Sequence, residues 1–496
     1  EGDVRPLMLA EYESSDKVLV FNHLGGMFAF DVVGVPEGAS SFEFAANRPI
    51  KGTFLVDGDE VSTGEEEVDS RVTFTFPALK QVEDMKFFVP VPTGEYPGFT
   101  VTISDGENTL VTKSSSKTNI IMRNNLRKFT LAASEIVYVT VNGAGARTGA
   151  TWADATTLTS ALENAKDGQV IRVAGGTYIP EKVLPGSTDN SELRKAFLVN
   201  RHVNIQGSYK AGTSDTDTLA TPTIISGQIA DGINAYHAMV VAAAGKGNVT
   251  LKGLRFSNAS PLKAHTDELI AQAMVTVADG INVPDYRGTL YLASDAVIRS
   301  CVISDNFSEF HGKTDGTLGI GMYVHSGVKA LVENSTFANN SGGACGGAIC
   351  VAGTLDLNNV LFEGNSANHS GAVHNNGVVS VSNCVFNSNE ARNGFAGALR
   401  IQGSKADVQK SVFVGNISHN HGGAIQINRN PMTTIKDCLF KDNTAVGAYG
   451  GAIANWGGAT STVSNSTFVG NKAEVTDKQT KPIGGAIVNM YQTSSS

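Results

Sequence analysis

The sequence predicts an all-β chain: a β-sandwich over the first quarter, then a right-handed parallel β-helix with a short capping helix at its start. Three observations lead there. The composition favours tight turns over helices. Residues 1–133 alternate apolar and polar side chains between turn-forming residues. From about residue 300 to 490 a paired motif returns every 24–28 residues.

Composition comes first. The chain has 496 residues, 54 of them Gly, with 7% aromatic and 17% charged side chains. At this length one ordinary core does not suffice, unless a repeat fold lets one core extend. Abundant Gly and Asn suit turns, including left-handed ones. A 41% hydrophobic fraction is enough for a packed core and excludes a disordered chain. The net charge is −9, from 38 basic and 47 acidic residues, and there is no long basic run, so nucleic acid is not an expected partner. No apolar stretch approaches the ~20 residues of a membrane-spanning helix. The sequence starts without Met or a signal peptide, as a mature or trimmed chain would. An export signal or lipid anchor upstream is therefore compatible with it.

Within residues 1–133, alternation marks strands at Lys17–Phe21, Met27–Val33, Gly52–Val56, Arg71–Phe76, Lys86–Val91 and Phe99–Ser104. Turns are expected at Gly34–Gly38, Asp57–Asp59, Pro92–Gly98 and Asp105–Asn108. Short strands so punctuated predict a sandwich. The runs FNHLGGMFAFDV, FFVPVPTGEYPGFTVTISDG and IIMRNNLRKFTL resemble the fimbrillin-like domains of Bacteroidales surface lipoproteins. Most specific are the turn Pro90-Val91-Pro92-Thr93-Gly94 and the pair Arg123-Asn124. The resemblance implies a transthyretin-like sandwich used as a surface anchor or spacer. A whole fimbrillin has two such domains and only one is present here.

Residues 134–178 change style. Leu158, Ala161, Leu162 and Ala165 recur at the period of an amphipathic helix, with Asp154 or Thr156 to cap its start and Gly168 just past its end. A strand at Val170–Val173 follows. The segment is similar to the opening of pectate-lyase-like β-helix proteins, in which a helix covers the open first coil.

The repeat itself has two phrases. FxxN occurs at Phe337–Asn340, Phe362–Asn365, Phe386–Asn389, Phe413–Asn416, Phe440–Asn443 and Phe468–Asn471, with Ile303–Asn306 as an earlier copy. GGAI or a variant occurs at Gly346–Ile349, Gly371–Val373, Gly397–Leu399, Gly422–Ile425, Gly450–Ile453 and Gly484–Ile487. The period suits one coil of a three-sided β-helix, with coils stacked at ~4.8 Å. It lacks the Leu pattern of leucine-rich repeats and is too short for WD-type blades. In this register the phenylalanines stack inside. Asn340, Asn365, Asn389, Asn416, Asn443 and Asn471 form an amide ladder, and Gly-Gly makes a corner. Two residues before each Phe lies a small-residue column of Cys301, Ser335, Val360, Cys384, Ser411, Cys438 and Ser466. This accounts for three of the five cysteines without metal or disulfide. FxxN with GGAI resembles the repeats of chlamydial polymorphic outer-membrane proteins, whose β-helical passenger domains serve adhesion. That implies an exported, cell-surface or outer-membrane binding protein.

The column after GGAI is expected to face outward and reads Cys350, His374, Arg400, Gln426, Ala454 and Val488. His374, Arg400 and Gln426 make a polar row able to bond a sugar, or simply a solvated face. The expected partner is a glycan or a host-surface protein. The competing reading is a polysaccharide lyase or glycoside hydrolase, which needs clustered carboxylates with Ca²⁺, or a carboxylate pair. Asp356, Glu363, Glu390 and Asp407 fall on different sides of their coils. A third reading is a pilus or surface-layer component. Glu309, His311 and Asp315 sit in an insertion that could overhang a groove or be an exposed loop. His419 and His421 share a turn but lack further zinc ligands. Asp215 and Asp217 either hold a structural Ca²⁺ or lie in a surface loop. No catalytic residue, resident metal or other cofactor is expected.

Overall fold

The computed structural model describes residues 8–13, 18–23, 25–36, 38–51, 54–57, 60–63, 69–79, 83–187, 191–213, 216–260, 274–277, 280–308, 318–429, 432–459, 461–474 and 483–490. Glu309, His311, Asp315 and Asp215 lie outside them. The chain divides into two compact units, Glu1–Ile136 with Gly168–Val170, and Val137–Asp167 with Ile171–Ser496.

In the first unit, Phe99–Ser104 pairs antiparallel with both Ser41–Ala46 and Thr109–Ser115, and Arg71–Thr75 extends that sheet. A second sheet centres on Gly25–Val35, antiparallel to Glu83–Pro92 and parallel to Leu126–Ala132. Alternate residues from the two sheets bury Phe28, Phe30, Phe42, Phe44, Val89, Phe99 and Val101 in one cluster. The expected turn at Pro90–Gly94 is instead mostly strand, because Pro90 and Pro92 sit on an edge strand, where a residue without N–H is tolerated. Only Thr93 separates this strand from the next, Gly94–Tyr96, and the Tyr96 hydroxyl donates to the Pro92 carbonyl at 2.7 Å.

The second unit is a parallel solenoid. Its strands form sheets of 11, 10 and 10 members, here called the first, second and third sheets. The first runs to Ser461–Ser464, the second from Gly176–Tyr178 to Thr467–Val469, and the third from Phe197–Val199 to Ile487–Met490. A fourth, five-stranded sheet, from Ser366–Ala367 to Lys472–Glu474, follows the ladder asparagines. The late coils therefore have four sides where three were expected, since the residues after Asn also extend and pair with their copies.

Register runs Phe on Phe from Phe337 to Phe468. Ring centroids are 4.6–5.2 Å apart with planes within 14° of parallel. Ile225, Phe256 and Ile303 continue this file toward the start. From Asn306 to Asn471, each amide donates to the next at 2.8–3.0 Å. Each Oδ1 from Asn365 onward also accepts the preceding asparagine's backbone N–H, as at Asn365 to Asn389 (3.0 Å). The amides are thus saturated although Asn340 to Asn443 are wholly buried.

Three corners per coil need left-handed backbone. One is the residue before each ladder Asn, with φ between +53° and +66° at Asp305, Asn339, Gly364, Ser388, Gly415, Asp442 and Gly470. Another lies between each first-sheet strand and the second-sheet strand that follows, at Asn334, Asn359, Asn383, Lys410, Asp437 and Asn465. The third is the first residue of the GG corner, held by Gly346, Gly422, Gly450 and Gly484 but by Ser370 and Ala396 on the two coils between Gly346 and Gly422. The second Gly has a different reason. A Cβ on Gly397 would run into the Gly423 carbonyl of the adjoining coil, and Gly371 and Gly423 are placed alike.

In the small-residue column, Cys301, Cys384 and Cys438 donate their backbone N–H to Ser335, Ser411 and Ser466 on the next coil at 3.1–3.2 Å. Burial pushes the Cys384 thiol up to about 11.

The capping helix spans Leu158–Glu163. Its N-cap is Thr157, not Asp154 or Thr156: the Thr157 hydroxyl accepts the Ser160 N–H at 3.3 Å, while Asp154 belongs to a separate 3-10 turn capped by Thr151. The helix also ends at Asn164, before Gly168. Leu158, Ala161 and Leu162 join the solenoid core. Asp217 accepts the Leu219 and Ala220 N–H groups, which holds its carboxyl below the usual range and makes it a turn cap. No helix among the described residues is long and apolar enough to cross a membrane.

Candidate binding face

The outer column of the third sheet runs Val240, Tyr291, Tyr323, Cys350, His374, Arg400, Gln426, Ala454, Val488 in unbroken register. It points away from the core, but much of it is not solvated. Val240, Tyr291, Tyr323 and Cys350 are roofed by Leu184, Val275, Val277 and Val283. His374 is 3% and Gln426 1% exposed, so the expected open polar row is corrected to a mostly covered one. The Phe395 ring, which enters a GG corner, lies beside the column at Arg400.

Each polar group of this row has a partner, within the row or beside it. Arg400 Nε donates to Gln426 Oε1 at 3.0 Å, and the guanidinium lies 4.9 Å from the Phe395 ring centre. His374 Nδ1 is 3.0 Å from Ser370 Oγ, and Nε2 is 3.2 Å from Asn376 Oδ1. An amide oxygen only accepts, so Nε2 carries the proton and Nδ1 accepts from the serine. Burial first, then the Arg400 charge and His369, pushes the His374 pKa down to about 3, which fixes the neutral ring. Of the three, Arg400 alone remains half-buried.

Beside this column stands a second file: the residue before each left-handed corner, namely Cys345, His369, Phe395, His421, Tyr449 and Ile483. Its rings stack, His369 on Phe395 at 5.4 Å, Phe395 on His421 at 5.6 Å, and His421 on Tyr449 at 5.1 Å. Trp456 also stacks on His421 at 4.4 Å. Burial pushes the His421 pKa down to about 4. His369, Phe395, Tyr449 and Trp456 stay half-buried. The sequence reading missed this file. Its signal was present as a constant offset from each GG corner, obscured because Ser370 and Ala396 replace the first Gly.

A family model described as right handed beta helix region matches residues 203–468, more than half of the chain. The chain belongs to this family. No curated protein matches it. Among solved structures, pectate lyase Pel9A matches at 14% identity over 69% of this chain and 78% of its own, TM-score 0.35. A rhamnogalacturonan lyase matches at 15% identity over 63% and 74%, TM-score 0.35. The catalytic unit of a GH87 alpha-1,3-glucanase from Streptomyces thermodiastaticus strain HF3-3 matches at 13% identity over 95% and 91%, TM-score 0.32.

On this right-handed β-helix, the face from coil 345 to coil 456 offers a guanidinium, half-buried ring edges and backbone, a chemistry of hydrogen-bond donation and stacking. Glu390 and His419, 2.9 Å apart on adjoining coils beside the fourth sheet, form a carboxylate–imidazole pair, with Arg392 3.7 Å from Glu390. Among the described residues no three His, Cys, Asp or Glu side chains converge as metal ligands.

Proposed function

We propose that the chain is an exported cell-surface binding protein whose β-helix presents the Arg400 face to a glycan or a host-surface protein. The observation that carries this is the half-buried aromatic file, His369, Phe395 and Tyr449 with Trp456, beside the Arg400 guanidinium. Rings held rigid by stacking lose little entropy when a ligand packs on them, and one guanidinium supplies orientation. His374 and Gln426 act on the ligand only through Arg400 and the fold. The fimbrillin-like resemblance of the first unit supports a role as spacer or anchor near the outer membrane, and the polymorphic-outer-membrane-protein resemblance supports adhesion.

The test is incubation with a polysaccharide panel, scored for retention and for new reducing ends. Retention without cleavage is expected, weakened about tenfold by Arg400→Ala, the size of losing one charge-assisted hydrogen bond. A polysaccharide-cleaving reading has one specific support, the Glu390–His419 pair. Reducing-end release abolished by Glu390→Gln would replace the binding reading with that one.

A further inference from the structure

The second sheet presents its outer face through the first and third residues of each three-residue strand. Over six coils the first-residue column reads Thr336, Leu361, Val385, Val412, Leu439, Thr467. That order is a palindrome. None of them is buried, so four half-exposed aliphatic side chains line this stripe. The third-residue column reads Ala338, Glu363, Asn387, Val414, Lys441, Val469, with Glu363 and Lys441 at symmetric places, both exposed. The phenylalanines beneath stay within 14° of parallel from coil to coil, so the face is nearly untwisted.

We propose that this face is a two-fold interface between antiparallel copies of this chain. A two-fold axis lying in the interface along the strands reverses the order of coils and keeps the strand direction. It sets Leu361 against Leu439 of the other copy, Val385 against Val412, and Thr336 against Thr467. The same rotation brings Glu363 opposite Lys441, twice per dimer. A parallel arrangement would instead oppose the aliphatic column to the charged one and forfeit both matches. Self-complementarity under one rotation is what an isologous contact requires. Two columns over six coils cover less than the ~800 Å² per partner of a standard interface, so the association is weak and concentration-dependent.

Sedimentation of the full chain tests this, from about 1 μM to several hundred μM. A reversible dimer is expected. Glu363→Lys and Lys441→Glu should each weaken it about tenfold, and the double reversal should return it to within about twofold of the parent. Register is read separately. Packed sheets stand ~10 Å apart, too far for a disulfide, so a short bis-maleimide is used, with the parent chain as background. Leu361→Cys mixed with Leu439→Cys should cross-link, and either variant alone should not. A chain monomeric throughout the range, a dimer indifferent to both charge reversals, or equal cross-linking by Leu361→Cys alone would overturn the proposal.

Discussion

Phenylalanine builds both cores, but in opposite ways. In the first unit the rings meet at many angles: Phe28 on Tyr96 at 85°, Phe30 on Phe99 at 73°, Phe28 on Phe44 at 41°, with Phe42 on Phe87 stacked at 8°. In the solenoid each ring repeats the last within 14°. A sandwich closes one core from two faces, so each ring finds its own gap. A solenoid adds coils by translation, so a ring that fits once fits again, and an amide that bonds its copy bonds all of them. The first kind of core is specified residue by residue, the second column by column.

The largest loss is expected where a column that cannot tolerate a gap is interrupted. Asn389→Leu leaves the Asn365 N–H and amide, the Phe362 carbonyl and the Asn416 Oδ1 without their bonds to Asn389. At ~1–3 kcal/mol per stranded buried group, a loss of about 4 kcal/mol or more is expected in denaturant unfolding, with amide exchange rising first in the adjoining coils. Next, Phe30→Leu should cost ~2–4 kcal/mol, because Phe30 meets Phe28, Phe42, Phe44, Phe99 and Phe129 in one place. Phe386→Leu should cost less, ~1–2 kcal/mol, since Ile303 and Ile225 already occupy that file. Equal losses in the two units would remove the distinction.

The pH response should separate the units as well. The His374 and His421 pKa values are lowered from 6.5 to about 3 and about 4. The unfolded chain therefore binds protons there that the fold refuses. Stability is complete above about pH 6.5 and falls as pH drops toward the folded values. Thermal melts of the β-helix should show this slope, and His374→Gln with His421→Gln should flatten it. The smallest effect belongs to Cys384→Ser. Serine fills the same column at Ser335, Ser411 and Ser466, so a change under ~1 kcal/mol is expected by denaturant titration. At pH 8 a thiol reagent should reach half-buried Cys345 before Cys384, whose pKa of about 11 keeps it protonated.

Legibility followed the same division. The ladder asparagines, the phenylalanine file and the small column were readable because each repeats at a fixed spacing. The corner Ser370 and Ala396 were harder, since a left-handed φ was expected to need Gly and here the surrounding coils impose it on other residues. In the sandwich, Ser41–Ala46, Thr109–Ser115 and Leu126–Ala132 were not foreseen as strands, and Pro90 and Pro92 were misread as a turn. Their state depends on which strand lies at a sheet edge, a relation between segments distant in sequence.

The candidate face shows the limit most sharply. The spacing placed His374, Arg400 and Gln426 in one outward file. It did not reveal that His374 and Gln426 would be buried, or that His369, Phe395 and Tyr449 of the neighbouring stacked file would stay half-exposed. Periodicity in the chain determined which residues share a column and which way each column points, because translation by one coil repeats both. Only the tertiary structure decided which outward columns meet solvent, because exposure depends on how loops of unequal length fold over a face, and a loop that does not repeat leaves no period to read.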